Sequence, residues 1–201
     1  MAYWKRKHTT LAAILSAALT ATLFTAPTHA KELAIWDQLQ GTNPKGYVLL
    51  IRHAYAPGVG DPENFNVNDC STQRNLSEEG RQGAREIGQW LQRREVKILR
   101  VESSRWCRAK ETAQLLNIGK VRPNRNLDSL FEESDLLNHP QTANIKKRIQ
   151  SHRNTRGLLV FVGHFVNFQA VAGVSLDSGE GVLIKATPSG EFKVMGYSPK
   201  P

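Results

Sequence analysis

Two uninterrupted apolar runs constrain this chain more than any other feature: Tyr47-Val48-Leu49-Leu50-Ile51 and Gly157-Leu158-Leu159-Val160-Phe161-Val162-Gly163. A strand-length run without a polar residue fits a strand covered on both faces, which requires a sheet held between two other layers. Each run stops at a histidine, with Arg52-His53 after the first and His164 after the second. Helical spacing fills the interval. Ser77 can cap a helix that carries Glu78 and Glu79 in its first turn, and Ala84, Ile87, Gly88 and Leu91 then recur on one face. A strand near 97–101 follows, then helical patterns over 105–116 and 141–152. After the second apolar run come a short helix over 165–171 and a hairpin, 182–186 with 192–197, turning at Pro188-Ser189-Gly190. Alternating strands and helices predict an α/β fold, a three-layer α/β/α sandwich around a mostly parallel central sheet. Residues 31–46, ending in Asn43-Pro44-Lys45-Gly46, read as a surface lead-in, and 56–75 is a long loop dense in turn formers. Loops of that length inside a domain usually carry function.

The first thirty residues read as something other than fold. Lys5, Arg6 and Lys7 precede an uncharged apolar run from Leu11 to Ala26, and Thr28-His29-Ala30 supplies small residues at a cleavage site. This is the pattern of a secretory signal peptide, and its apolar run is shorter than the ~20 residues a membrane span needs. The expected organisation is a signal peptide over 1–30 and one domain over 31–201, placing the mature protein in the periplasm or outside the cell with no membrane span. Removing residues 1–30 takes away three cations and no acid, so the net charge falls from +9 to +6. That excess suits anionic substrates or an anionic envelope surface. Scattered basic residues without an aromatic-and-basic platform argue against nucleic acid. Export leaves two states open for Cys70 and Cys107, a disulfide pinning the long loop near the site or two free buried thiols.

In an open α/β sheet, ligands bind beyond the carboxyl ends of the strands. Two histidines stand there, with Arg52 beside one of them and Ser103-Ser104-Arg105-Trp106-Cys107-Arg108 after the strand near residue 100. Imidazoles and guanidiniums clustered at one sheet edge describe an anion site, most naturally for phosphate, whose oxygens match the guanidinium fork.

Arg52-His53-Ala54, Leu76-Ser77-Glu78-Glu79-Gly80-Arg81-Gln82, Ser103-Ser104 leading to Arg108-Ala109 and Thr112-Ala113, and Gly163-His164 resemble, in order, the motifs of the histidine phosphatase superfamily. The resemblance covers about Tyr47 to Tyr197 and implies a phosphoglycerate-mutase-like fold. The segment from Ala56-Pro57-Gly58 to Leu76-Ser77 further resembles an exported bacterial branch, some of whose relatives act on envelope phosphates. It implies that His53 is the nucleophile accepting the phosphoryl group, with Arg52, Arg108 and His164 around its oxygens. Arg74 and Arg105 would extend the substrate pocket. No cofactor or metal is implied, since fixed cations would make Mg²⁺ redundant. The chain departs from the mutase-like pattern at the acid: the position two residues after Leu127 is Ser129. Glu132 is the preferred substitute, with Glu133 and Glu180 as alternatives.

The expected function is a metal-independent phosphatase acting on phosphomonoesters through a phosphohistidine, its partner a phosphorylated small molecule or envelope phosphate. The alternative is a non-catalytic phosphate- or phospholipid-binding module that kept the anion cluster. Retention of both histidines and both motif arginines favours the enzyme.

Overall fold

The computed structural model describes residues 28–200, with side chains from residue 34 onward. The expected signal peptide lies almost wholly outside the described residues. Among the described residues, no helix is long and apolar enough to cross a membrane.

The chain runs α1 (Thr28–Leu39), β1 (Tyr47–Arg52), α2 (Glu78–Arg93), β2 (Ile98–Ser103), α3 (Cys107–Leu115), β3 (Val121–Pro123), α4 (Pro140–His152), β4 (Leu158–Gly163), α5 (Phe165–Ala172), β5 (Gly181–Ala186) and β6 (Phe192–Tyr197). The strands form one sheet in the order β3-β2-β4-β1-β5-β6. β1 to β4 are mutually parallel, and the terminal hairpin adds β5 antiparallel to β1. The two apolar runs become neighbours at the centre of the sheet, as their lack of polar residues requires.

Alternation along β1 sorts its side chains between two cores. Leu49 and Ile51 join Ile87 and Leu91 of α2, Ala109 and Ala113 of α3, and Trp36 and Leu39 of α1. Val48 and Leu50 face the other way, toward Ile145 and Ile149 of α4 and Phe168 and Val171 of α5. The molecule is therefore the expected three-layer sandwich. Ser77 caps α2, its hydroxyl accepting the Gly80 N–H at 3.0 Å.

Residues 31–46 differ from expectation. They are not a surface lead-in: α1 ends within them, Trp36 is fully buried, and its Nε1 donates to the Tyr197 carbonyl of β6 at 2.8 Å. Two large apolar residues at i and i+3 are enough to dock a short helix once β6 offers it a surface. The three-residue edge strand β3 also went unread, its length being below any periodic signal.

Candidate active site

Register alone brings the two histidines together. Arg52, the last residue of β1, pairs with Gly163, the last of β4, so the next residue of each chain segment emerges at the same sheet edge. The His53 N–H donates to the Gly163 carbonyl at 2.9 Å, and the imidazole centroids of His53 and His164 are 5.4 Å apart. His164 then serves as N-cap of α5, while Ser104, leaving β2, donates its N–H to the Val162 carbonyl.

His53 is 3 % exposed. Its Nδ1–H donates to the Ala54 carbonyl at 2.8 Å, which leaves the Nε2 lone pair free. The turn carrying it is fixed in turn, because the Ala54 N–H donates to Thr112 Oγ1 at 3.0 Å and that hydroxyl donates to the Arg108 carbonyl. Burial, reinforced by the nearby guanidiniums of Arg108, Arg52 and Arg74, lowers the His53 pKa to about 3. His164 is equally buried, and burial together with His53 and the same arginines pushes it well below the ordinary histidine range. Its Nε2 shares a hydrogen bond with Ser104 Oγ at 3.0 Å, and Ser104 in turn lies 3.4 Å from Asp128 Oδ1.

The arginines carry the clearest mark of an anion site. Arg52 donates from one terminal nitrogen to the Leu176 carbonyl at 3.0 Å, and its guanidinium lies 5.0 Å from the Phe165 ring centroid. Arg108 is 2 % exposed and gives both terminal nitrogens to Asp61, at 2.6 and 3.0 Å. In both residues Nε is buried without a hydrogen-bond partner. Buried donors are almost always satisfied, so two unpartnered N–H groups beside one neutral histidine suit an anionic acceptor. Arg74 donates to the Gly60 carbonyl at 2.9 Å and to the Ala56 carbonyl, so it buttresses the loop while lining the cavity.

Asp61 is the functional residue that sequence reasoning missed. Besides the Arg108 fork it accepts the Trp106 indole N–H at 2.9 Å and the Arg74 N–H at 3.4 Å. Burial pushes its carboxyl up, but the bonds from Arg108 and Trp106 outweigh this and hold its pKa below the usual value. In sequence Asp61 is one turn former among many in the 56–75 loop, and nothing local marks its role. The loop is also tied down covalently, since Cys70 and Cys107 form the disulfide with their Cα atoms 5.7 Å apart.

The resulting cavity of about 850 Å³ is lined by Arg52, His53, Arg74, Arg108 and His164, with Ser129, Glu132 and Glu133 toward its mouth. Two expected members are not brought to it. Arg105 turns away to Asp128, with Nε at 2.7 Å and a terminal nitrogen at 2.6 Å, because a partly exposed arginine two positions past the strand reaches the nearest buried carboxylate. Glu180 lies behind Arg52, whose N–H its carbonyl accepts, and its carboxylate accepts the Asp177 N–H at 2.9 Å. The glycine turn aims it along its own loop rather than toward His164. Glu132 does line the cavity but is exposed, and Phe131 beside it is 46 % exposed. The apolar neighbours therefore do not enclose the carboxylate. Among the described residues, no cluster of three or more His, Cys, Asp or Glu could hold a metal ion.

Comparison with known proteins agrees with this geometry. The sequence profile described as "Histidine phosphatase superfamily (branch 1)" matches residues 48–156, a stretch that holds Arg52, His53, Arg74 and Arg108. Among solved structures, the protein histidine phosphatase SixA complexed with tungstate is similar, with a TM-score of 0.57 and 17% identity over 76% of this chain and 96% of that one. Phosphoserine phosphatase from Entamoeba histolytica, in complex with 3-phosphoglyceric acid, gives a TM-score of 0.56 and 14% identity over 77% and 97%. A mycobacterial glucosyl-3-phosphoglycerate phosphatase gives 0.54 and 14% over 77% and 99%. At these identities the likeness is one of fold. None of the curated proteins compared matches in sequence.

Proposed function

This chain belongs to the histidine phosphatase superfamily, branch 1, and from that membership and the geometry of its site we propose that it is an exported phosphatase that hydrolyses phosphomonoesters through a phosphohistidine on His53. The observation that carries the reading is the pair of orphaned guanidinium N–H groups on Arg52 and Arg108 flanking an imidazole held neutral.

In this reading the Nε2 lone pair of His53 attacks phosphorus in line with the ester oxygen. The N–P bond forms as the P–O bond breaks, and the leaving alkoxide takes a proton from an acid at the mouth of the cavity. The Nδ1–H bond to Ala54 holds the ring in the one tautomer that can attack. Arg52 and Arg108 place fixed positive charge on the transferring group's oxygens, a stabilisation that needs no reorganisation because both side chains are already anchored by other acceptors. Water then attacks the phosphohistidine, releasing inorganic phosphate and restoring His53. Glu132 is the proposed acid, since Glu180 is turned away and Glu132 faces the open end where an alcohol would depart. Export is supported by the charge and hydropathy pattern of residues 1–30.

His53→Ala is expected to abolish turnover of p-nitrophenyl phosphate and to remove an acid-labile, base-stable phosphoenzyme seen by rapid quench. An undiminished phosphoenzyme in that variant would move the nucleophile to His164. Glu132→Gln is expected to slow an alkyl phosphate by about 10²-fold or more while sparing p-nitrophenyl phosphate, whose leaving group needs little protonation. Equal loss on both substrates would remove Glu132 from the role.

A further inference from the structure

The cavity holds far more than one phosphoryl group, and the charges around it are not those of a general anion sink. Its lining carries three guanidiniums, Arg52, Arg74 and Arg108, against four carboxylates, Asp61, Glu63, Glu132 and Glu133, and no lysine. Both histidines are held neutral by burial. Asp61 neutralises Arg108 through its bidentate pair, so the floor presents a surplus of two positive charges. A phosphomonoester dianion consumes that surplus completely.

Beyond these arginines, the charged residues of the lining are acidic, and four aromatic rings stand among them. Glu63, Glu132 and Glu133 are exposed, and among the described residues none of their carboxylates has an ion pair or hydrogen bond. Glu63 comes from the disulfide-tied loop and Glu133 from the segment after Leu130. On one wall Phe65 stacks on Trp106, with centroids 4.8 Å apart. On the other, Phe131 meets Phe165 edge to face at 6.4 Å. Unpaired carboxylates beside aromatic rings attract cations and repel anions. The orphaned Arg108 Nε fixes where the phosphate end of a ligand belongs, so the acidic, aromatic mouth receives the other end of the same molecule.

We propose that the enzyme selects phosphomonoesters whose far end carries a positive charge, an amine or quaternary ammonium, held by Glu63, Glu133 and the aromatic walls. The inference rests on the phosphatase reading above and narrows its substrate class. A second phosphate or a carboxylate on the substrate would meet Glu63 and Glu133 with no cation of the lining left to answer it.

The test compares kcat/KM of the purified protein for phosphoethanolamine and phosphocholine, for uncharged-tail ethyl phosphate and for anionic-tail 3-phosphoglycerate, with p-nitrophenyl phosphate as reporter of the phosphoryl site. The cationic esters are expected to exceed ethyl phosphate by about tenfold and 3-phosphoglycerate to fall below it by a similar factor, both ratios shrinking as salt is raised. The Glu63→Gln, Glu133→Gln double variant is expected to bring the cationic-to-neutral ratio close to one. The salt series on the unaltered protein reads the same quantity should the variant fold poorly. A protein that hydrolyses p-nitrophenyl phosphate but treats cationic and neutral esters alike, or whose preference survives both salt and the double substitution, overturns the inference alone. Failure to hydrolyse any of the five overturns the phosphatase reading and this one with it.

Discussion

Burial and three guanidiniums place the His53 pKa at about 3, so the proposed nucleophile does not titrate between pH 5 and 8. Histidine in the unfolded chain titrates near 6.5, and a group whose proton affinity falls on folding favours the native state only where it is neutral in both. Its contribution is present above about pH 6.5 and is lost as pH drops toward 3. The expected kcat/KM profile, corrected for the substrate's own phosphate ionisation, has no acid limb near 6.5 from His53, and an NMR titration of its imidazole should stay flat over that range. Asp61 yields a second expectation at this scale. Asp61→Ala strands the buried Arg108 guanidinium and should cost about 3 kcal/mol in urea denaturation, with Asp61→Asn costing less because it keeps an acceptor. These residues differ in legibility for a physical reason. His53, Arg52, Arg108 and His164 sit just past strands or at a helix start that the sequence reveals, whereas Asp61 acquires meaning only when folding brings Arg108, remote in sequence, against it. Arg105 and Glu180 fail for the converse reason. Being near a strand end does not decide which way a side chain turns.

Two glycines on α2 show how helix packing serves the site. A Cβ on Gly88 would stand 2.2 Å from the Leu116 carbonyl oxygen, and one on Gly80 would stand 2.1 Å from that of Tyr55. Backbone cannot yield as a side chain would, so each substitution must displace a whole segment. Gly88→Ala pries α2 from the end of α3 and is expected to lower stability by about 1–3 kcal/mol with little effect on turnover of the folded protein. Gly80→Ala pushes instead on the turn that carries His53, whose Tyr55 carbonyl also accepts the Ser77 N–H. It should reduce kcat in addition to stability, a difference that parallel kinetics and denaturation would reveal. The face of α2 was legible because its small and apolar residues recur at helical spacing from Gly80 to Leu91 and Ser77 caps the helix. α1 was not, because among the described side chains its docking rests on Trp36 and Leu39 with Ile35 beside them, and none of these predicts that β6 will be there to receive them.

At the scale of the molecule, the Cys70–Cys107 bond joins the long loop to the start of α3, across a sequence separation of 37. Closing that loop is worth about 4 kcal/mol in the chain-entropy model. Reduction with dithiothreitol is therefore expected to lower the melting temperature and, by loosening the segment that carries Asp61, to raise KM more than it lowers kcat. The layered architecture was readable from two apolar runs and the helices between them, but their order in the sheet was not. β1, the first strand made, lies between β4 and β5, so Val48 pairs with Leu159 on one side and Ile184 on the other. Until those late segments exist, β1 has both edges bare, and the helices that cover its faces have no sheet to close on. A nascent chain of this protein thus has no centre to condense around during most of its synthesis, and its commitment to structure comes in one late step. Ribosome-held chains ending before residue 158 should remain fully open to protease, with resistance appearing only once residues up to about 186 have cleared the exit tunnel. Such a chain stays threadable for nearly as long as it is being made.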